Sequence, residues 1–399
     1  MKLLLLNGHG INMHVDGAKL YIKDGRFSVD EEPKQYIFIP KRIDLDNVII
    51  YGRNGNITLE AIRWLIKHNV QITILDWNGK LLTTMLPPES VQVKTKFAQY
   101  HSYSDNNLRL ELAKKFIRAK FNRTKIVLEW LKLRYDQIND DFSSEEKLFE
   151  KTKSIPDIMM VEGRVAGFYW QELQKIFPEK YEFETREYQK KPRGAGDAIN
   201  CMFNYGYAIL ESECLRAINS AGLDVHVGFM HEMCIGKNSL AYDLQEPFRF
   251  LIDLAVINLI ENKSMEKRDF IRTENYNLRL RPTGARKLVS EIQNQFNKKV
   301  LYNGQMCSWS YILLTKTREL AHHLLGKKNK LDFEEPHHEL QRLDNEGIRK
   351  KILDIPYSKW EKLGFSRGTL HYMKQNAKSD KPFTLNKHVI ERLETIYLN

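Results

Sequence analysis

The stretch from Gly228 to Arg249 brings a histidine and two acids within reach of one another: His231, Asp243 and Glu246, with Lys237 in the loop between them. Asp243 and Glu246 are three positions apart, close to one helical turn, so their side chains can share a helix face. An imidazole and carboxylates gathered across a loop could hold a hard or borderline divalent metal. The same Asp-x-x-Glu spacing is also a capping box, which would start a helix over residues 244–261 and says nothing about His231. Glu162, in Val-Glu-Gly-Arg, reads either as a helix-start carboxylate or as part of a site. The small residues Gly163, Ala166 and Gly167 behind it are of the kind that let helices pack closely. His337 and His338 are adjacent, and neighbouring side chains rarely share a helix face, so they read as surface loop rather than as a metal pair.

These groups need elements to carry them. Residues 1–86 read as β-rich, with short β-branched or aromatic runs at 2–6, 19–22, 36–39 and 47–51 between Gly, Asp and Asn turns. One helix interrupts them, capped by Thr58, with Leu59, Ile62, Leu65 and Ile66 on its apolar face. Residues 71–75 and 81–86 flank Asn78-Gly79 as a hairpin, and Pro87-Pro88 marks a boundary. Beyond it the periodicity becomes helical. Residues 108–135 carry Arg109, Lys114, Lys115, Arg118, Lys120, Arg123, Lys125, Lys132 and Arg134 against Glu111 and Glu129, which is either a solvated face or one that tracks phosphates. Residues 139–154 read as loop, and a helix follows over 158–177.

The segment 185–197, which includes Arg193, is a basic Gly/Pro loop suited to gripping a phosphate backbone, or an ordinary solvated loop. Asp197 then caps a helix over 198–221 with Asn200 and Asn204 one turn apart, followed after the opening stretch by apolar or amphipathic helices at 248–260, 284–296 and 309–325. A polar linker leads to a short helix at 357–363, a Gly364-Phe365 turn, a Ser366 N-cap and a second helix at 367–376. That is the helix–turn–helix pattern, with Arg367, His371 and Lys374 as its DNA-facing candidates. A plain helical hairpin has the same pattern.

The chain's 399 residues suffice for two or three domains. Its net charge of +11 suits a polyanionic partner, a balance that ribosome-adjacent or membrane-surface proteins share. The N-terminal apolar run is too short for a signal peptide, and no stretch has the length to span a bilayer. Cys201, Cys214, Cys234 and Cys307 lack CxxC spacing, so they read as packed thiols of a reducing cytoplasm rather than a zinc site or disulfide framework.

Taken in order, Glu162 in Val-Glu-Gly-Arg, His231 in Gly-Phe-Met-His and Glu246 in Leu-Ala-Tyr-Asp-Leu-Gln-Glu-Pro-Phe-Arg resemble the motifs of the CRISPR-associated integrase family, the spacer-acquisition endonucleases of CRISPR adaptation. The resemblance covers residues 1–325. It implies a homodimeric integrase that uses Mg²⁺ or Mn²⁺, with Glu162, His231 and Glu246 as metal ligands and Asp243 as an auxiliary catalytic acid. Lys237, Arg193 and Arg118 would then contact DNA phosphates. Many relatives have Met before the third-motif glutamate, where this chain has Gln245.

The added C-terminal residues resemble the casposon-encoded branch, the casposases, which integrate transposon ends. The expected function is therefore a metal-dependent DNA integrase and endonuclease, a casposon transposase that joins DNA 3′-hydroxyl ends to a target duplex by transesterification. A CRISPR spacer-acquisition integrase is the alternative, and a non-catalytic DNA-binding protein on a decayed integrase core is the reading of another class. Implied partners are double-stranded DNA (donor ends and target site), a second copy of the chain, and a dimer of dimers on DNA. A small CRISPR adaptation subunit joins them only in the CRISPR alternative; no membrane is involved, and the location is the prokaryotic cytoplasm. The expected fold is α+β: a small β-rich N-terminal dimerisation domain over 1–86, an all-α catalytic domain over 91–326 and a helix–turn–helix DNA-binding extension over 340–399.

Overall fold

The computed structural model describes residues 1–26, 32–52, 54–76, 78–88, 92–186, 195–273, 277–336, 349, 352–362 and 364–379. The chain is α+β, with a β-rich N-terminal region followed by a mostly helical remainder. It groups into two compact units, Met1–Thr124 with Phe142–His337, and Lys125–Asp141 with His338–Asn399.

The first unit begins with two four-stranded sheets. In one, β1 (Leu3–Leu6), β5 (Asn47–Ile50) and β7 (Gln71–Leu75) run parallel, and β8 (Leu81–Met85) pairs antiparallel to β7. In the other, β4 (Gln35–Phe38), β3 (Lys19–Lys23) and β2 (His9–Asp16) are antiparallel, and β6 (Asn54–Ile57) lies parallel to β2. The unbroken apolar run of β5 is buried along its whole length, as in strands covered on both faces. Helix α1 (Leu59–Lys67) is capped as its sequence requires, with Thr58 Oγ1 accepting from Ala61 N–H. Its Ala61, Trp64 and Leu65 close a core with Ile11, Met13, Leu20, Val48 and Ile72.

The helical body of this unit comprises α2 (Val93–Ser104), α3 (Asn106–Lys132, which runs on into the second unit), α4 (Ser143–Glu150), α5 (Ile155–Gln174), α6 (Ala198–Ala221), α7 (Ser239–Gln245), α8 (Arg249–Glu261), α9 (Pro282–Asn297) and α10 (Trp309–Leu324). Helix α6 is the axis. Asp197 caps it by accepting from Asn200 N–H, Gly222 ends it in the left-handed conformation, and almost all of its residues are buried. Both Asn200 and Asn204 accept from the Arg186 guanidinium, so these amides fasten the start of the basic loop rather than face a ligand. The β-rich part is locked to the body by Asn47, whose amide donates to Glu213 Oε1 at 3.1 Å, and by Arg216, which bridges Asp46 and Glu213.

Several local expectations are corrected. Residues 139–154 are not all loop: α4 lies within them. The region 91–326 is mostly helical rather than all-α: it holds two antiparallel strand pairs, β9 (Phe270–Arg272) with β10 (Leu278–Leu280), and β11 (Lys299–Tyr302) with β12 (Gln305–Ser308). Among the described residues no atom of another element stands within 4 Å of where a Cβ at Gly163 or Gly167 would lie, so these glycines serve no close helix packing there. Among the described residues no helix is long and apolar enough to cross a membrane.

In the second unit, the helices Tyr357–Lys362 and Arg367–Lys378 pack on Ile352, Ile355, Trp360, Leu370 and Ala377. Gly364 turns the chain at φ +78°, Ser366 Oγ caps the second helix through Thr369 N–H, and the Trp360 indole donates to Ser366 O. His337 and His338 lie outside the described residues.

Candidate active site

His231 is placed by a carboxylate rather than by its own helix. Asp243, fully buried on α7, accepts from the backbone N–H groups of Phe229, Met230 and His231, the last two at 3.0 Å. Its Oδ1 also meets His231 Nδ1 at 2.7 Å. A carboxylate oxygen facing Nδ1 keeps the ring proton there and leaves the lone pair on Nε2. The loop can wrap this closely only because residue 228 is glycine: a Cβ there would stand 2.7 Å from the Ser239 carbonyl carbon. The capping-box expectation is corrected, since α7 starts at Ser239 and Asp243 lies inside it with its side chain turned to the 229–231 backbone.

Glu162 and Glu246 come from different helices to one cation. Glu162 lies in the middle of α5, two turns past its Ser154 N-cap, so it is not a helix-start carboxylate. Glu246 stands where α7 breaks into the 3₁₀ turn Glu246–Phe248 before α8, a break that Pro247 favours by having no N–H to donate. Lys120 Nζ pairs with Glu162 Oε1 and, at 2.6 Å, with Glu246 Oε2. Arg249 Nε holds Glu246 Oε1 at 3.0 Å, and its guanidinium lies 4.7 Å over the Tyr207 ring.

Burial opposes the charge on Glu246, which is 2% exposed, yet Arg249 and Lys120 outweigh it and draw its pKa down to about 2. Burial likewise opposes the charge on Lys120, but Glu246 and Glu162 raise its pKa. Lys120 is the site residue that the sequence hid among similar bases of α3. Three of the other bases are engaged inside the fold. Arg109 donates to Phe229 O, Lys114 to Thr152 O, and buried Arg123 lies over Phe250 and Trp309, with its pKa lowered by burial to about 10.

The donor types suit a divalent cation: two carboxylates already converge on a positive charge, and an imidazole has its Nε2 lone pair left over. The three are not drawn into one cage. Among the described residues no group of three or more His, Cys, Asp or Glu side chains is gathered to hold a metal ion.

The remaining candidates are dispersed. Lys237 is exposed in the loop after His231. Arg118 is paired with Glu150 at 2.8 Å. In the second unit Arg367 lies 4.9 Å over the Tyr357 ring, His371 is exposed, and Lys374 donates to Leu353 O. Arg193 lies outside the described residues.

Fold and site together define a class: an α+β protein with a β-rich N-terminal region, whose helical body joins two acids on one cation beside a carboxylate-oriented histidine. Residues 12–294 match the family described as CRISPR associated protein Cas1. The chain belongs to the Cas1 family. It is 31% identical over 338 residues to CRISPR-associated endonuclease Cas1 1 of Archaeoglobus fulgidus, covering 79% of this chain and 96% of the relative. It is 27% identical over 336 residues to the Cas1 1 endonuclease of Francisella tularensis subsp. novicida, covering 82% and 98%. Among solved structures it is 63% identical to a casposase bound to integration product, with TM-score 0.85 over 90% of this chain and 100% of that one. A Cas1 protein from Thermotoga maritima shares the fold at TM-score 0.69 and 17% identity, over 82% of this chain and 98% of that one.

Proposed function

We propose that this chain is a divalent-metal-dependent DNA integrase, a casposon transposase that joins DNA 3′-hydroxyl ends to a target duplex by transesterification. The observation that carries it is the 63% identity, over 90% of the chain, to a casposase bound to integration product. Glu162 and Glu246 would hold Mg²⁺ or Mn²⁺ through their carboxylates and His231 through Nε2, the imidazole tilting the preference toward Mn²⁺. When bound, such a metal polarises a phosphate oxygen and lowers the pKa of the attacking hydroxyl. Asp243 fixes the tautomer and direction of His231, and Arg249 fixes Glu246, so these two donors are oriented before DNA arrives.

Lys237, exposed in the loop after His231, would meet a DNA phosphate, and Arg118 would exchange Glu150 for another, with Arg193 in the same role on the basic loop. The β-rich residues 1–86 serve as the dimerisation domain, 91–326 as the catalytic domain and 340–399 as a helix–turn–helix extension that reads DNA through Arg367, His371 and Lys374. A homodimer, or two dimers on DNA, would supply paired sites for two joining events in the prokaryotic cytoplasm. A CRISPR spacer-acquisition integrase with a small adaptation subunit is the second reading, favoured by the match across 96% of the Archaeoglobus endonuclease.

The test is strand transfer of short 3′-hydroxyl duplexes into a plasmid with Mn²⁺. Glu162→Ala, His231→Ala and Glu246→Ala should each abolish joining while DNA binding persists. Full joining by any of them would remove that residue from the site. Donors ending in transposon-type inverted repeats should outcompete arbitrary duplexes; no such preference favours the CRISPR reading.

A further inference from the structure

The cation that Glu162 and Glu246 share in this fold belongs to the protein itself. Lys120 reaches between them from a third helix, at 2.6 Å from Glu246 Oε2 and in direct contact with Glu162 Oε1. Its side chain is only 16% exposed, against 19% for Glu162 and 2% for Glu246, so the triad is shielded from water and its charges act strongly on one another. Two carboxylates that repel each other are drawn together by the one ammonium both contact. The ammonium also takes the oxygens that a divalent ion would need. Lysine fits this role better than arginine, because its compact charge on four methylenes can swing out without moving the helix that bears it. Arg249 cannot do so in the same way, being held both by Glu246 and over the Tyr207 ring.

We propose that Lys120 is a positioning residue, an internal cation that keeps Glu162 and Glu246 together and that a divalent metal must displace to use the same oxygens. This rests on the metal-site reading above. Its consequence is selectivity. A monovalent ion gains no more from the two carboxylates than the ammonium already does, whereas a doubly charged ion gains about twice as much. The site therefore excludes sodium and potassium without a cage shaped against them.

The test is Mn²⁺ affinity of the full chain, read from the electron paramagnetic resonance of free Mn²⁺, for wild type, Lys120→Gln, Lys120→Arg and Glu246→Gln. Lys120→Gln should bind Mn²⁺ about tenfold more tightly or better, with a lower Tm without metal that Mn²⁺ restores. Lys120→Arg should bind Mn²⁺ more weakly than wild type, since its guanidinium is harder to swing aside. Unchanged or weaker affinity in folded Lys120→Gln overturns the proposal. Should that variant not fold, reductive methylation of wild type with peptide mass spectrometry decides: labelling of Lys120 should speed up as Mn²⁺ saturates, and an unchanged or slower rate overturns the idea. If wild type binds no Mn²⁺, or Glu246→Gln binds it equally well, the metal-site reading itself fails. Loss of binding in Glu246→Gln with wild-type affinity in Lys120→Gln sinks the Lys120 proposal alone.

Discussion

At the scale of single residues, the histidine is prepared for use by Asp243, a fully buried carboxylate. Asp243 gives one oxygen to His231 Nδ1 while its carboxylate also collects three backbone N–H groups, so it orients the ring and anchors the loop together. Asp243→Asn places an amide where that carboxylate stood and favours the wrong tautomer. Joining should fall by about 10–100-fold, with the proton shifting from Nδ1 to Nε2 in ¹⁵N NMR of His231. An unshifted tautomer would leave Asp243 as an anchor only. Gly228→Ala should cost about 1–3 kcal/mol in urea unfolding, since the added methyl meets the Ser239 backbone. The motif residues Glu162, His231 and Glu246 were legible from resemblance. The role of Asp243 was not, because Asp-x-x-Glu spacing fits a helix start equally well and its true partner lies across a loop. Lys120 was hidden for a related reason: which base of α3 turns inward is set by the packing of Phe116, Ile117 and Phe121, not by charge pattern.

At the scale of elements, three helices meet on one buried carboxylate. Asp253 of α8 accepts from Tyr169 of α5 at 3.0 Å and from Tyr207 of α6 at 2.6 Å. Burial pushes its pKa from 3.8 up to about 6, despite these hydrogen bonds and the nearby Arg249. Between those values the folded chain binds more protons than the unfolded one, so stability falls as pH rises, by about 3 kcal/mol once past the upper value. Asp253→Asn should flatten that dependence between about pH 4 and pH 6 in denaturant titrations; an unchanged slope would assign it to other groups. Local signals served well where they were self-contained, as in the Thr58 cap, the Asn78-Gly79 hairpin and the Asp197-capped α6. They failed where long-range pairing decides the outcome. Strand β2 has only a partial alternation and is specified by its neighbours β3 and β6, and α4 is acidic enough to pass for loop.

At the scale of the whole molecule, the exposed side of the Arg367–Lys378 helix carries Arg367, His371 and Tyr372, while Leu370 and Ala377 face its core. If this face reads DNA, Arg367→Ala should weaken binding and reduce the salt slope by about one, while short-oligonucleotide joining persists. An unchanged slope would leave the face structural. The grouping of Lys125–Asp141 with His338–Asn399 could not be read from sequence, since about two hundred residues separate the two segments. It changes how the C-terminal extension can be exchanged between relatives. A graft cut at the obvious polar linker would carry over residues 338–399 and leave behind the seventeen, Lys125–Asp141, that group with them. The transplantable piece is discontinuous, and its inner half lies on the helix that delivers Lys120. Natural recombination at the linker alone would therefore be selected against unless the two parents already matched along that helix.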